Sequence, residues 1–331
     1  MTEVASQEGT IPFEIASIGK QGHTFYKVFG DLSPGVAPIV LIHGGPGSSH
    51  KYNVGFAGVW PRFGVPMILY DGVGCGKSTR LDEYRGSDTL WQPSLFLSEL
   101  DNLLDHFGLR DGSGSGYYLS GSCFGAMIAT EHATFRLPGL KGLILNAPTP
   151  STELAIKSQN MRIRELPEDT QRVLLAAKDD EDYETKEYKH AQLAYVRHCI
   201  CRNEAILPLF EASFSRQSAN VVRDSVYFSF STLTILFVPG TGSYRNWDIT
   251  ADLHKINVPT LCFNGETDMC GDVCLQPYLE NVPRVRWLQF AGATHGFLLD
   301  DPKYLERWFS TVGDFLHQRP VEPKTWQNRL E

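Results

Sequence analysis

The segment Tyr117-Tyr118-Leu119-Ser120-Gly121-Ser122-Cys123-Phe124-Gly125-Ala126-Met127 constrains the fold more than any other. It reads as a short strand, a sharp turn of the form Gly-x-nucleophile-x-Gly, and then a helix. A strand that turns at once into a helix brings backbone against backbone. The positions two before and two after the turn residue must therefore be small. Gly121 and Gly125 meet that need around position 123, which is Cys. Ser122 fails the same test, because positions 120 and 124 hold Ser and Phe. Any nucleophile in this turn is Cys123. A thiol suits the place: a helix N-terminus favours an anion, and a neighbouring His can activate the sulfur further. An inert buried thiol in a chance glycine pattern would leave the same letters, so the rest of the chain has to decide.

The same strand, glycine-rich turn and helix recur up to about residue 150. Ala37–Ile42 ends in His43-Gly44-Gly45-Pro46-Gly47, and Pro66–Tyr70 ends in Asp71-Gly72-Val73-Gly74-Cys75-Gly76. Leu140–Leu145 ends in Asn146-Ala147-Pro148. Short apolar runs bounded by turn residues read as buried strands. Their alternation with helical stretches at Leu95–Phe107 and Phe124–Phe135 predicts a mostly parallel sheet in an α/β fold. Ligands of such sheets sit beyond the carboxyl ends of the strands, where these glycine turns fall. From 151 to 245 the texture becomes helical, with Glu153–Glu165, Pro167–Lys178 and Tyr183–Cys201 carrying charged faces. An apolar run then covers Val226–Val238, and its Tyr227, Phe228, Phe230 and Phe237 either line an apolar pocket or simply pack. Strand texture returns at Thr260–Phe263 and Val285–Phe290, with a closing helix at Lys303–His317. The expected organisation is a core of residues 1–150 and 246–331, interrupted by a helical cap at 151–245.

Downstream context raises the weight of Cys123. The strand ending at Phe263 runs into Asn264-Gly265-Glu266-Thr267-Asp268, and the next runs into Ala291-Gly292-Ala293-Thr294-His295-Gly296. The chain order is nucleophile, acid, His, as in an α/β-hydrolase triad, with Asp268 orienting His295 and His295 taking the proton of Cys123. Alone, Asp268 could be a helix cap and His295 a packed loop histidine. Three coincidences in one order make that reading poor. Acyl transfer also needs backbone N–H donors aimed at the developing oxyanion, which Gly45 and Phe124 are placed to supply.

Together, the His43–Gly47 turn, Asp71-Gly72-Val73-Gly74-Cys75-Gly76-Lys77-Ser78, the Cys123 turn, Gly265–Asp268 and Gly292–Gly296 resemble the proline iminopeptidase family of α/β hydrolases. Arg164-Glu165-Leu166-Pro167 and Asn246-Trp247-Asp248-Ile249 resemble its tricorn-associated members. The resemblance covers nearly the whole chain. It implies an α/β-hydrolase fold with a cap over a pocket, and a triad of Cys123, Asp268 and His295. It also implies oxyanion donors at Gly45 and Phe124. The chain departs from the family in two ways. Cys123 stands where the family has Ser. Of two glutamates that hold a substrate's free amino group, one corresponds to Glu266, but Phe237 stands at the place of the other. A buried ammonium facing Phe instead of a carboxylate loses its paired charge, at a cost of about 3–5 kcal/mol.

Other patterns are weaker. Gly76-Lys77-Ser78 would need Gly at 71 to make a phosphate loop, and position 71 is Asp. Cys270 and Cys274, or Cys199 and Cys201, lack partners at zinc-site spacing, so no metal and no cofactor is expected. Seven cysteines, with no secretory leader in MTEVASQEGT, fit a reducing, cytoplasmic setting. A net charge of −8 disfavours nucleic acid and anionic membranes as partners. The expected partner is a small-molecule acyl substrate, free or bound to a carrier or coenzyme A, and a homodimer contact on the cap is left open. The expected activity is acyl transfer on an ester or thioester through Cys123, ending in hydrolysis, transfer or lactone formation, as in secondary-metabolite tailoring. The alternatives are a proline iminopeptidase or amino-acid amidase, and a silent hydrolase fold that only binds.

Overall fold

A computed structural model describes residues 6–32, 35–112, 114–180, 185–208, 221–226 and 242–317. Among these residues an eight-stranded sheet forms the centre, in the order β1-β2-β4-β3-β5-β6-β7-β8. β1 (Ser6–Ile15) and β2 (Lys20–Phe29) form an antiparallel hairpin, and β2 joins β4 (Met67–Asp71) antiparallel. From β4 onward every pairing is parallel, through β3 (Ile39–Ile42), β5 (Tyr117–Ser122), β6 (Leu140–Asn146), β7 (Thr260–Gly265) and β8 (Val285–Phe290). The α/β-hydrolase expectation is met. The hairpin is an addition that the sequence reading did not contain. Its strand β1 alternates exposed and buried residues at its inner end, as an edge strand with one covered face does.

Period-two alternation splits the core onto the two faces of the sheet, and the short helix α1 (Val59–Phe63) packs on one of them. Val40, Ile42, Ile68, Tyr70, Leu119, Leu143, Leu145 and Cys262 face one cluster with α2 (Pro93–His106) and α3 (Phe124–Thr134). Ile39, Leu41, Met67, Leu69, Ile144, Leu261 and Phe263 face the other. That second face is closed by the helix Pro302–His317, whose Tyr304, Trp308, Phe309, Val312 and Phe315 repeat at helical spacing and are buried. The Trp308 ring also donates Nε1–H to Asn146 Oδ1 at 2.8 Å, tying this helix to the end of β6.

β6 and β7 are neighbours in the sheet, so residues 147–259 are an insertion between them. Within it lie α4 (Thr152–Ile163), α5 (Glu168–Asp180), α6 (Lys186–Cys199) and α7 (Val221–Val226). Ser151 and Thr185 cap α4 and α6 by accepting from Leu154 N–H and Tyr188 N–H. Val226 ends α7, and Tyr227, Phe228, Phe230 and Phe237 of the apolar run lie outside the described residues. No described helix is long and apolar enough to cross a membrane.

Candidate active site

Cys123 sits at the junction of β5 and α3 with φ +53° and ψ −117°. A positive φ at a residue with a Cβ is strained, and it persists only where the surroundings enforce it. Here they do. The Cys123 N–H donates to the Asn146 carbonyl at 2.8 Å, and its carbonyl accepts from Ala126 and Met127 at the start of α3. The flanking glycines are required by close approach: a Cβ at Gly121 would lie 2.3 Å from the Gly125 oxygen. A Cβ at Gly125 would lie 2.3 Å from the Ile42 oxygen and 2.6 Å from that of His43. The turn therefore packs against the end of β3 and carries Cys123 to the carboxyl edge of the sheet, half-buried.

His295 and Asp268 arrive there on the turns after β8 and β7. His295 Nδ1 lies 2.6 Å from Asp268 Oδ1. Asp268 is fully buried, and Oδ1 also accepts the Cys270 N–H at 2.7 Å. Burial opposes a charge on His295. The Asp268 carboxylate and, after it, the nearby Cys123 sulfur outweigh it and hold the imidazole well above its ordinary range. Cys123 Sγ also lies 3.7 Å from the Gly45 oxygen. The structure thus brings the three sequence-predicted residues into one chain of contacts: sulfur, imidazole, carboxylate.

Of the two expected oxyanion donors, Gly45 approaches the sulfur with its carbonyl and Phe124 is the next residue in the chain. Phe124 is the first residue of α3, its ring buried edge-on to Phe96 and to Tyr244 of the insertion, with centroids 5.1 and 5.2 Å away. Gly45 has φ +119°, and a Cβ there would meet Gly47 N at 2.7 Å and Ser48 N at 2.8 Å, so the turn admits only glycine. His43 holds this turn in place. Its Nε2 accepts the Gly72 N–H at 3.1 Å, which leaves the ring proton on Nδ1, facing the Gly44 oxygen at 2.8 Å. Burial keeps His43 below its usual range, so it stays neutral and keeps both bonds. No local pattern assigns His43 this task, because its partner Gly72 follows a different strand.

Glu266 lies in the turn after β7. It is exposed, and its Oε2 accepts the Gly292 N–H at 2.7 Å, tying the acid turn to the histidine turn. Phe237 lies outside the described residues. Sequence reasoning also missed Arg162 of α4, whose guanidinium donates to the carbonyls of Asp268 and Glu266, both at 2.9 Å. Nothing local marks that arginine, since both acceptors lie more than a hundred residues away. Among the described residues, Asp268, Cys270 and His295 could offer metal ligands within 4.8 Å of one another. Asp268 and His295 are already committed to each other, so the arrangement is an acid–base pair beside a thiol.

Residues 37–302 match the alpha/beta hydrolase fold family. A proline iminopeptidase of Clostridium botulinum is 29% identical over 286 residues, covering 86% of this chain and 92% of its own. One from Clostridioides difficile is 29% identical over 301 residues, covering 90% and 95%. Among solved structures, VinJ superposes with TM-score 0.80 at 32% identity, over 94% of this chain and 98% of its own. The proline iminopeptidase of Mycobacterium smegmatis superposes with TM-score 0.80 at 26% identity over the same shares. The chain belongs to the alpha/beta hydrolase fold family and is a hydrolase similar to the proline iminopeptidases.

Proposed function

We propose that this hydrolase is a cysteine-dependent acyl-transfer enzyme acting on an ester or thioester, free or carrier-bound. The observation that carries the reading is Cys123 in the strained turn, beside a His295 that Asp268 orients. In the first half-reaction Sγ, its proton already given to His295, bonds to the carbonyl carbon. The carbonyl oxygen gathers negative charge between the N–H groups of Gly45 and Phe124. Collapse breaks the bond to the leaving oxygen or sulfur, which takes the proton back from His295. The product is an acyl-thioester on Cys123. In the second half-reaction water or a substrate hydroxyl gives its proton to His295, attacks the same carbon and releases the sulfur. A cysteine sulfur is an intrinsically strong nucleophile toward an ester or thioester carbonyl. The engagement of Glu266 with Gly292 is consistent with a substrate lacking a free amino group.

A second reading, a prolyl or aminoacyl peptidase, is favoured by the activity of the curated relatives. Intact-mass measurement after incubation with short acyl thioesters and, separately, with a prolyl anilide decides between them. An acyl mass present in the wild type and absent from Cys123→Ala is the expected result. Anilide turnover that rises in Cys123→Ser, with no acyl adduct in the wild type, would replace the first reading by the second.

A further inference from the structure

We propose that Arg202, on the insertion just past α6, is a positioning residue that sets His295 against Cys123 by clamping the acid turn to the histidine turn. The inference rests on the proposed role of Cys123 and His295. Hydrogen bonds of Arg202 and of the two turns carry it. The guanidinium donates NH1 to the Gly292 oxygen at 2.8 Å and NH2 to Thr267 Oγ1 at 3.0 Å, so one planar group spans the turns that carry both His295 and Asp268. The Gly292 peptide is gripped from both ends, because its N–H is bound by Glu266. The backbone of Arg202 donates to Asp300 Oδ1 at 2.7 Å, and the other oxygen of that carboxylate accepts the Thr294 N–H and hydroxyl, each at 2.8 Å.

The chain just before Arg202 completes the clamp. His295 N–H donates to the Cys199 oxygen at 2.9 Å, and Gly296 N–H to the Ile200 oxygen at 2.7 Å. Thr294 Oγ1 adds a bond to the same Ile200 oxygen at 2.8 Å. A Cβ at Gly296 would lie 2.7 Å from that oxygen, so the approach is as close as backbones allow. The histidine turn is thus hydrogen-bonded to residues 199–202 of the insertion. A rigid, bidentate arginine fits this task better than lysine, whose ammonium is a point charge.

The test reads the Cys123–His295 pair without any assumption about substrate. Alkylation of Cys123 by iodoacetamide is followed across pH by intact mass, with Cys123→Ala as the blank. In Arg202→Ala the rate near neutrality is expected to fall about tenfold, in keeping with the sensitivity of reactivity to sub-ångström placement. The pH profile should change in shape as well as in height, and methylguanidinium in the buffer should restore part of the rate. Arg202→Lys should recover less than half of the loss. A wild type that alkylates no faster than free cysteine would sink the catalytic reading of Cys123 itself. An activated wild type with an unchanged Arg202→Ala profile would overturn the clamp alone. Should Arg202→Ala fail to fold, Thr267→Val removes one prong; a smaller shift in the same direction supports the clamp and an unchanged profile overturns it.

Discussion

Glu99 offers the sharpest test of how the site is supported. It lies on the buried stripe of α2 among Leu95, Phe96, Leu100 and Leu103, with only 1% of its surface exposed. Its carboxylate accepts the Val73 N–H at 2.9 and 3.1 Å and the Thr24 hydroxyl. Burial, and to a lesser degree the buried Asp71 carboxylate, push it up from 4.5 to about 7 against those hydrogen bonds. The folded protein therefore holds this proton more tightly than the unfolded chain. The stability this provides is complete below the unfolded value of 4.5 and is lost as pH rises through about 7. At about 1.4 kcal/mol per pH unit, the loss reaches about 3 kcal/mol. Glu99→Gln has no proton to lose, and its amide can still accept from Val73 and meet Thr24. Urea unfolding of both proteins should give a difference near zero at about pH 5, growing in favour of the variant to about 3 kcal/mol near pH 9. A difference that stays constant across that range would refute the reasoning, since it would mean that Glu99 ionises alike in both states.

Three further outcomes are expected. Gly125→Ala forces a methyl into the carbonyls of Ile42 and His43, so thermal melts should show a loss of at least about 3 kcal/mol or no soluble protein. Asp268→Asn keeps the shape of the acid turn but removes the charge that holds the proton on His295; acyl-adduct formation in stopped-flow or mass assays should fall about 10²–10⁴-fold with little change in melting temperature. Trp308→Phe leaves Asn146 Oδ1 without its Nε1 donor in the core, and chemical denaturation should register a loss of about 1–3 kcal/mol.

The parts of this molecule that could be read from the sequence are those whose constraint is local. Gly121 and Gly125 are tied to Cys123 because all three meet within one turn, and the parallel strands show as apolar runs because both their faces are covered. The hairpin Ser6–Phe29 escaped notice because its outer strand is largely exposed and carries a mixed, weakly apolar pattern. Glu99 reads as an ordinary solvated charge on a helix until the sheet places Thr24 and Val73 against it.

Glu266 shows the same limit at the site itself. Its position in the acid turn is plain in the sequence, yet its direction depends on a turn 26 residues later, whose Gly292 N–H it binds. Arg202 is more distant still from the groups it holds, 65 residues from Thr267 and 90 from Gly292. The reacting groups of such a site follow from short motifs because strain and close packing fix each turn on its own. The relative placement of the turns is a different matter. It is set by long-range hydrogen bonds from the insertion, and a substitution far from any motif, in Arg162 or Arg202, can therefore disturb the chemistry as directly as one within a glycine turn.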